Sequence, residues 1–495
     1  IIVRKPTSQT TNFFCMKIYF TKRRFVVTEL TKSTYSQNIL YFIKKNKRKL
    51  LITKLYLYNG FLPSRSDFKN VTISSDQIGW AASLLYLGAG VGPIAFAFMI
   101  NRVGRKWINF FAAFIYIVGW AICSLARNEV DIYIARVIHG IGISFTLCIV
   151  PLYVGEIVED RIRGGVCAAV VMFMSLGILY VYVIGAYVSF LILNVSSFVL
   201  PVLSLFSFFY MPESPYFLVM NGRISDAEKN LMRLRGETNR VDVSVELDKI
   251  IEFIDDGYIR ESSANKCFKM FQFRQSLNPL LLMTSLTFAQ SFSGIMAFKS
   301  YFERIFSEID SPMDPSTGVI LAEVVAVVVA LLSAFSIDKL GRRILFFIST
   351  IGCILCTGII GLYYALDQCG TVVNYAWIAL VGIYGFQVFF YSGLACLPSV
   401  VASEMFPAHL RPWTTAFNVM VSALFSFCVT KCFQIIGDDI GYHYSFWIFS
   451  VLLIFPVIHI YIYFPETKIK SFIQIQNELQ KSTNTDEDNN PQPNY

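Results

Sequence analysis

Charge is what this 495-residue chain has least of: 15% of its residues are Asp, Glu, Lys or Arg, 55% are hydrophobic, and mean hydropathy is +0.54. A soluble domain carries about 25% charged residues. So few charges cannot clothe a water-facing surface, which excludes an ordinary soluble enzyme or binding module and calls for a surface that meets lipid. Histidine is scarcer still, at four residues. His139, His409, His443 and His459 are scattered, and no motif gathers a nucleophile with a base, so nothing reads as an enzyme site. Among eleven cysteines, Cys353 and Cys356 form one C-x-x-C inside an apolar run, and without a second pair it argues against a metal or redox centre. No cofactor and no metal are implied. The N-terminus lacks the apolar core of a secretory signal. Acid is nearly absent from residues 1–60, which hold 13 Lys and Arg beside Glu29 alone; the rest of the chain has 29 basic and 33 acidic residues. The formal charge of +8 therefore belongs to one terminal segment, and a nucleic-acid partner is excluded.

Long apolar runs are abundant. A window of about 20 residues crosses about 30 Å of hydrocarbon. Such windows fall at 78–100, 107–126, 132–154, 165–187, 189–210, 278–301, 318–337, 344–366, 375–398, 413–436 and 444–464. Lipid offers the backbone no hydrogen bonds, so each predicts a helix, and the fold class is an all-α membrane protein. Loop charge sorts by side. The segments 101–106 (NRVGRK), 156–163, 212–275, 338–343 (DKLGRR) and 404–411 hold nearly all the loop Lys and Arg, whereas 307–317 and 437–442 are acidic or neutral. Basic loops stay in the cytoplasm, which puts the first set inside and an Asn-Val-Thr sequon at Asn70 outside, where a glycan can be added.

The chain repeats itself. NRVGRK recurs as DKLGRR, with Gly104 matched by Gly341; Glu156 and Arg163 are seven apart, as are Glu404 and Arg411, 248 residues later; Pro212-Glu213-Ser214 is echoed by Pro465-Glu466-Thr467. Topology alone explains the Lys and Arg, but not the Gly, the Glu or the spacing. Two parallel membrane halves joined by a long polar segment is the plan of a rocking carrier. The glycines permit tight turns. The charges predict a cytoplasmic gating network of Arg102, Arg105, Glu156, Arg163, Glu213, Asp338, Arg342, Arg343, Glu404 and Arg411, because carboxylate–guanidinium pairs at fixed helix ends are geometric and break when the halves rock.

At these residues the sequence resembles the sugar porter family of the major facilitator superfamily, which includes facilitative glucose carriers and insect trehalose carriers. The matching stretches run from about 74 to 468: NRVGRK, ARVIHGIGIS at 135–144, VPLYVGEI at 150–157 with Arg163-Gly164, PESPYFLVMNGR at 212–223, FSGI at 292–295, DKLGRR, PSVVASEMFP at 398–407 and FPETK at 464–468. The resemblance implies the major facilitator fold of two parallel-repeat bundles with twelve helices, of which eleven are recognisable. It divides the chain into a basic N-terminal segment (1–60), an N-terminal bundle (74–210), a cytoplasmic helical linker domain (211–276), a C-terminal bundle (277–468) and a disordered acidic tail (469–495). The first helix is expected to be missing, with 1–60 either non-native or a disordered arm.

The resemblance also implies a substrate site, and there the sequence departs from the pattern. The family's Gln-Gln-x-Ser-Gly-Ile-Asn, whose amides bond sugar hydroxyls, reads here Gln290-Ser291-Phe292-Ser293-Gly294-Ile295-Met296. The fifth-helix Gln falls at Val171, the tenth-helix Trp at Ser399, the eleventh-helix Asn-Trp at Ser422-Ala423 and the first-loop Asp at Asn101. Gln290, Ser291, Met296, Val171 and Ser399 are thus the candidate substrate contacts, with fewer hydroxyl partners than the pattern supplies. Two charges lie within spans, Lys299 and Glu323, the latter about 22 Å along the axis from Asp338. They are read as an ion pair, with proton coupling through Glu323 and exposure to an outer vestibule as the other readings. The expected function is facilitative transport of a hexose or trehalose by alternating access at the plasma membrane, with a small molecule and the bilayer as partners and no chemical reaction. The alternatives are a carrier of another small organic solute and a non-transporting sensor.

Overall fold

Each apolar window becomes a helix because only intra-segment hydrogen bonds satisfy a backbone in hydrocarbon. The computed structural model describes residues 75–158, 163–236, 240–257, 274–309, 313–368, 375–406 and 410–464. Residues 1–60, Asn70 and the 469–495 tail lie outside them. Among the described residues, eleven helical segments are long and apolar enough to span a membrane. Five form the first half: α1 (Ser75–Val103), α2 (Arg105–Leu125), α3 (Glu129–Ile157), α4 (Arg163–Tyr187) and α5 (Phe190–Phe209). Three linker helices follow, the apolar α6 (Pro215–Met220) and the polar α7 (Ile224–Arg235) and α8 (Arg240–Gly257), with a core of their own at Leu218, Ala227, Leu231, Val243, Leu247 and Ile250.

The second half contains six spans among the described residues, and three of them are each built of two helical segments. The first runs as α9 (Arg274–Phe292) and α10 (Ile295–Glu308), broken where Gly294 adopts φ 86°, a conformation open to glycine. Then come α11 (Pro315–Leu340), α12 (Arg342–Gln368) and α13 (Ala376–Phe389), which passes through a π-turn at Phe390–Leu394 into α14 (Leu397–Met405) with Pro398 in its first turn. Last are α15 (Arg411–Asp439), α16 (Tyr442–Leu452) and α17 (Ile454–Tyr463).

The packing repeats as the sequence does. Helix α2 packs on α3 and α5, and α12 packs on α13 and α16 in the same order. Between halves, α1 lies on α15 and α4 on α11. These last two contacts exchange under a twofold operation that swaps the halves, as expected for parallel repeats related by an axis along the membrane normal. The matched glycines also adopt one shape: Gly104 has φ 98° and ψ 163°, Gly341 φ 90° and ψ 153°. That region is essentially closed to other residues.

Small residues set the spacing in the first half. A Cβ at Gly88 would lie 2.2 Å from the Val137 carbonyl oxygen, and one at Gly140 2.0 Å from that of Leu85, so α1 and α3 touch backbone to backbone. At Gly104 a Cβ would stand 2.6 Å from Glu213 Oε2 and 2.9 Å from the Phe217 ring. Gly104→Ala is therefore expected to lower stability by about 1–3 kcal/mol from backbone strain alone. Gly155→Ala, whose Cβ would meet nothing within 4 Å, is the helical control and should leave thermal unfolding in detergent unchanged or slightly raised.

Candidate transport site

The basic face of the first half is held by two carboxylates with different tasks. Glu156, in the last turn of α3, receives Arg105 side-on: Nε at 2.9 Å from Oε2 and 3.2 Å from Oε1, and Nη2 at 2.9 Å from Oε1. The pair is nearly enclosed, with 3% and 12% of the two side chains exposed, and the guanidinium also stacks over Phe217 at 5.2 Å. Glu213 sits instead at the N-terminus of α2. Its Oε1 accepts from the backbone N–H groups of Arg105 at 3.0 Å and Lys106 at 3.1 Å, and of its own neighbour Ser214 at 2.9 Å. A helix N-terminus favours an anion there. Burial pushes the Glu213 carboxyl above its ordinary range, while those N–H groups and the Arg105 charge pull the other way. The polar helices dock beside this cluster through Arg235, which bonds the Ile157 carbonyl at 3.0 Å and Glu246 at 2.9 Å, and through Tyr153, which donates to the Pro212 carbonyl at 2.6 Å.

In the second half, Arg343 donates to the Tyr461 carbonyl at 2.7 Å and Arg411 to the Phe406 carbonyl at 3.1 Å. Arg342 opens α12 and is half-buried, while Arg102 is exposed. The side chains of Arg163, Asp338 and Glu404 lie outside the described residues.

The candidate substrate contacts differ in what they have free. The Gln290 amide nitrogen donates to the carbonyls of Leu394 and Ala395, at 3.1 and 3.2 Å. The π-turn releases those carbonyls from the helical ladder, and the amide takes the place of the lost donors. Ser291 is fully enclosed, and its hydroxyl has no partner among the described residues. Met296 and Val171 are half-buried against the same core, and Ser399 is exposed on α14. Gln290 is thus brought to the interrupted helix that carries Ser399.

Residues that no motif singled out join the halves at the face opposite the basic one. Gln434 donates to Asp76 at 3.2 Å, Lys431 lies over the Trp80 ring at 4.7 Å, and Tyr182 donates to the Lys299 carbonyl at 2.7 Å. Lys299 and Glu323 form an ion pair in the interior. Arg136 and His139 are buried one turn apart on α3, and both His139 nitrogens lack partners among the described residues. Arg136 and His139 lie in the 135–144 stretch and Lys299 and Glu323 stand out as charges within spans, whereas no motif marks Asp76, Trp80, Tyr182, Lys431 or Gln434.

Two parallel repeats meeting through α1–α15 and α4–α11, with a charge network on one face and cross-half bonds on the other, define a membrane carrier of the major facilitator class. The family model described as "Sugar (and other) transporter" matches residues 10–479, and the chain belongs to that family. The match begins upstream of the 74–468 stretch that carries the motifs, inside the basic N-terminal segment. Similar proteins include the facilitated trehalose transporter of Apis mellifera ligustica, 27% identical over 404 residues (82% of this chain, 80% of that protein). That of Polypedilum vanderplanki is 29% identical over 423 residues (84% and 83%). Among solved structures, the proton:xylose symporter XylE bound to 6-bromo-6-deoxy-D-glucose aligns with TM-score 0.72 at 20% identity, covering 90% of this chain and 99% of that one.

Proposed function

We propose that this chain moves a sugar of hexose or trehalose size across the plasma membrane by facilitated alternating access, with the basic face in the cytoplasm. The observation that carries the reading is the inter-half seam. Asp76–Gln434 and Trp80–Lys431 pair side chains and Tyr182 donates to the Lys299 carbonyl, each joining one half to the other on the outer side and each free to separate when the halves rock. Trehalose ranks first as cargo because the insect relatives carry that name. Affinity should be weak, because Val171 and Met296 offer hydroxyls nothing and the Gln290 amide is already bonded to the π-turn.

The test is saturable uptake of labelled trehalose and glucose by cells displaying the chain at the surface. Gln290→Ala is expected to raise KM, and Met296→Asn to lower it by about three- to ten-fold for one added hydrogen bond. Ser291 is the wrong place to restore an amide: it is enclosed, and a larger side chain would overpack the site. A second reading, a carrier of a less polar organic solute, is favoured by the apolar Val171 and Met296. Absence of uptake for both sugars at normal surface level would select it over a sugar carrier.

A further inference from the structure

Glu323 is fully enclosed, eight residues into α11 from Pro315, and its Oε2 is paired with Lys299 of α10. Its other oxygen, Oε1, is buried and has no hydrogen-bond partner among the described residues. A buried carboxylate oxygen left in this state is unusual and asks for a donor. The nearby hydroxyls do not supply one. Tyr182, from the first half, is within electrostatic range of the carboxylate but spends its proton on the Lys299 carbonyl. Tyr391, whose ring lies 5.5 Å from Lys299 Nζ, also feels the Glu323 charge but is engaged with Ser175 across the seam.

The position of the pair relates it to the candidate site. Tyr391, beside Lys299, belongs to the same π-turn whose end is held by Gln290, so the pair lies next to the turn that the candidate contact Gln290 grips. Lys299 is three residues beyond Met296 on the same helical segment. The chemistry then limits the ligand. Lys299 cancels the carboxylate charge, so an organic cation would gain little. A neutral O–H would still make a charge-assisted hydrogen bond to Oε1, of the stronger kind.

We propose that Glu323 Oε1, held in place by Lys299, is an acceptor for one substrate hydroxyl and a specificity-determining group of the carrier. This rests on the sugar reading above and adds a contact outside the five positions taken from the family pattern.

The experiment is competition of labelled glucose uptake by the series of monofluoro-glucoses, in the full chain at the cell surface. Fluorine replaces a hydroxyl without donating a hydrogen bond. At one ring position fluorination should weaken wild-type binding by roughly ten-fold or more. In Lys299→Met with Glu323→Leu, an apolar pair of similar bulk, that penalty should vanish while the penalties at other positions stay. In the exchanged pair, Lys299→Glu with Glu323→Lys, neutrality is kept but an ammonium donor replaces the acceptor, so the same fluoro-sugar should again be tolerated. No penalised position in the wild type overturns the inference by itself, without any variant. A penalty that persists in either double variant assigns it to another residue and also overturns it. If the wild-type chain takes up no sugar at all, the sugar reading fails first and the inference with it, and that result is distinct from uptake without a Glu323-dependent penalty.

Discussion

Lys299→Met, made alone, is expected to strip the chain from the cell surface. The substitution leaves Glu323 as an uncompensated charge in a segment whose neighbours are apolar, and breaking a buried pair in this way costs about 3–5 kcal/mol. Folded proteins have only about 5–15 kcal/mol in hand. Removing both charges together should cost far less, because well-packed apolar residues commonly replace a buried pair with little loss. Surface labelling and thermal unfolding in detergent should therefore rank wild type and the double variant close together, with the single variant well below. Equal loss in both would mean that the pair is needed for folding in itself, beyond charge balance.

The second large effect is expected at Arg105. Arg105→Ala removes three contacts to Glu156 and the stacking on Phe217, all in an enclosed site, and should again cost about 3–5 kcal/mol. Arg343→Ala, by contrast, removes a bond to the Tyr461 carbonyl on the exposed surface and should cost about 1 kcal/mol or less. Arg105 is the repeat partner of Arg342, and Arg343 that of Lys106, so the two arginines sit one position apart in the same turn and the contrast compares an enclosed guanidinium with an exposed one. A detergent melting experiment on both variants decides it; comparable shifts would show that enclosure is not what makes Arg105 matter. Turnover per surface molecule should fall in Arg105→Ala as well, since Glu156 then loses the partner that fixes the end of α3.

Much of this was legible in the sequence, for identifiable reasons. Spans read cleanly because apolar length is a property of contiguous residues. The repeat read cleanly because a positive-φ turn admits glycine almost alone, so Gly104 and Gly341 mark the same shape in both halves. The charged pair Lys299–Glu323 was legible because ionised groups inside spans seek each other. Other parts could not be read. Glu213 looked like a partner for arginine side chains, and it caps the backbone of α2; a carboxylate near a helix start has both options, and only the turn at Gly104 decides between them. The π-turn at 390–394 leaves no compositional mark, so the two carbonyls that occupy Gln290 were invisible. Cross-half contacts such as Asp76–Gln434 were hidden for another reason: in helices apolar on every side, periodicity does not distinguish a lipid-facing from a partner-facing stripe.

The backbone contact of α1 with α3 has a mechanical consequence. Gly88 and Gly140 bring the two backbones into contact, and at Gly92, beside Pro93, the Ser144 hydroxyl closes directly on α1, so the two helices are in close contact along this stretch. The span from Asp76 to Val103 is 28 residues, about 42 Å at 1.5 Å per residue, and α3 lies against it through this contact. Arg105 holds the Glu156 end of α3 and Trp80 lies near the far end of α1, so the backbone contact of these two helices is a direct path from the basic cluster to the seam at Lys431.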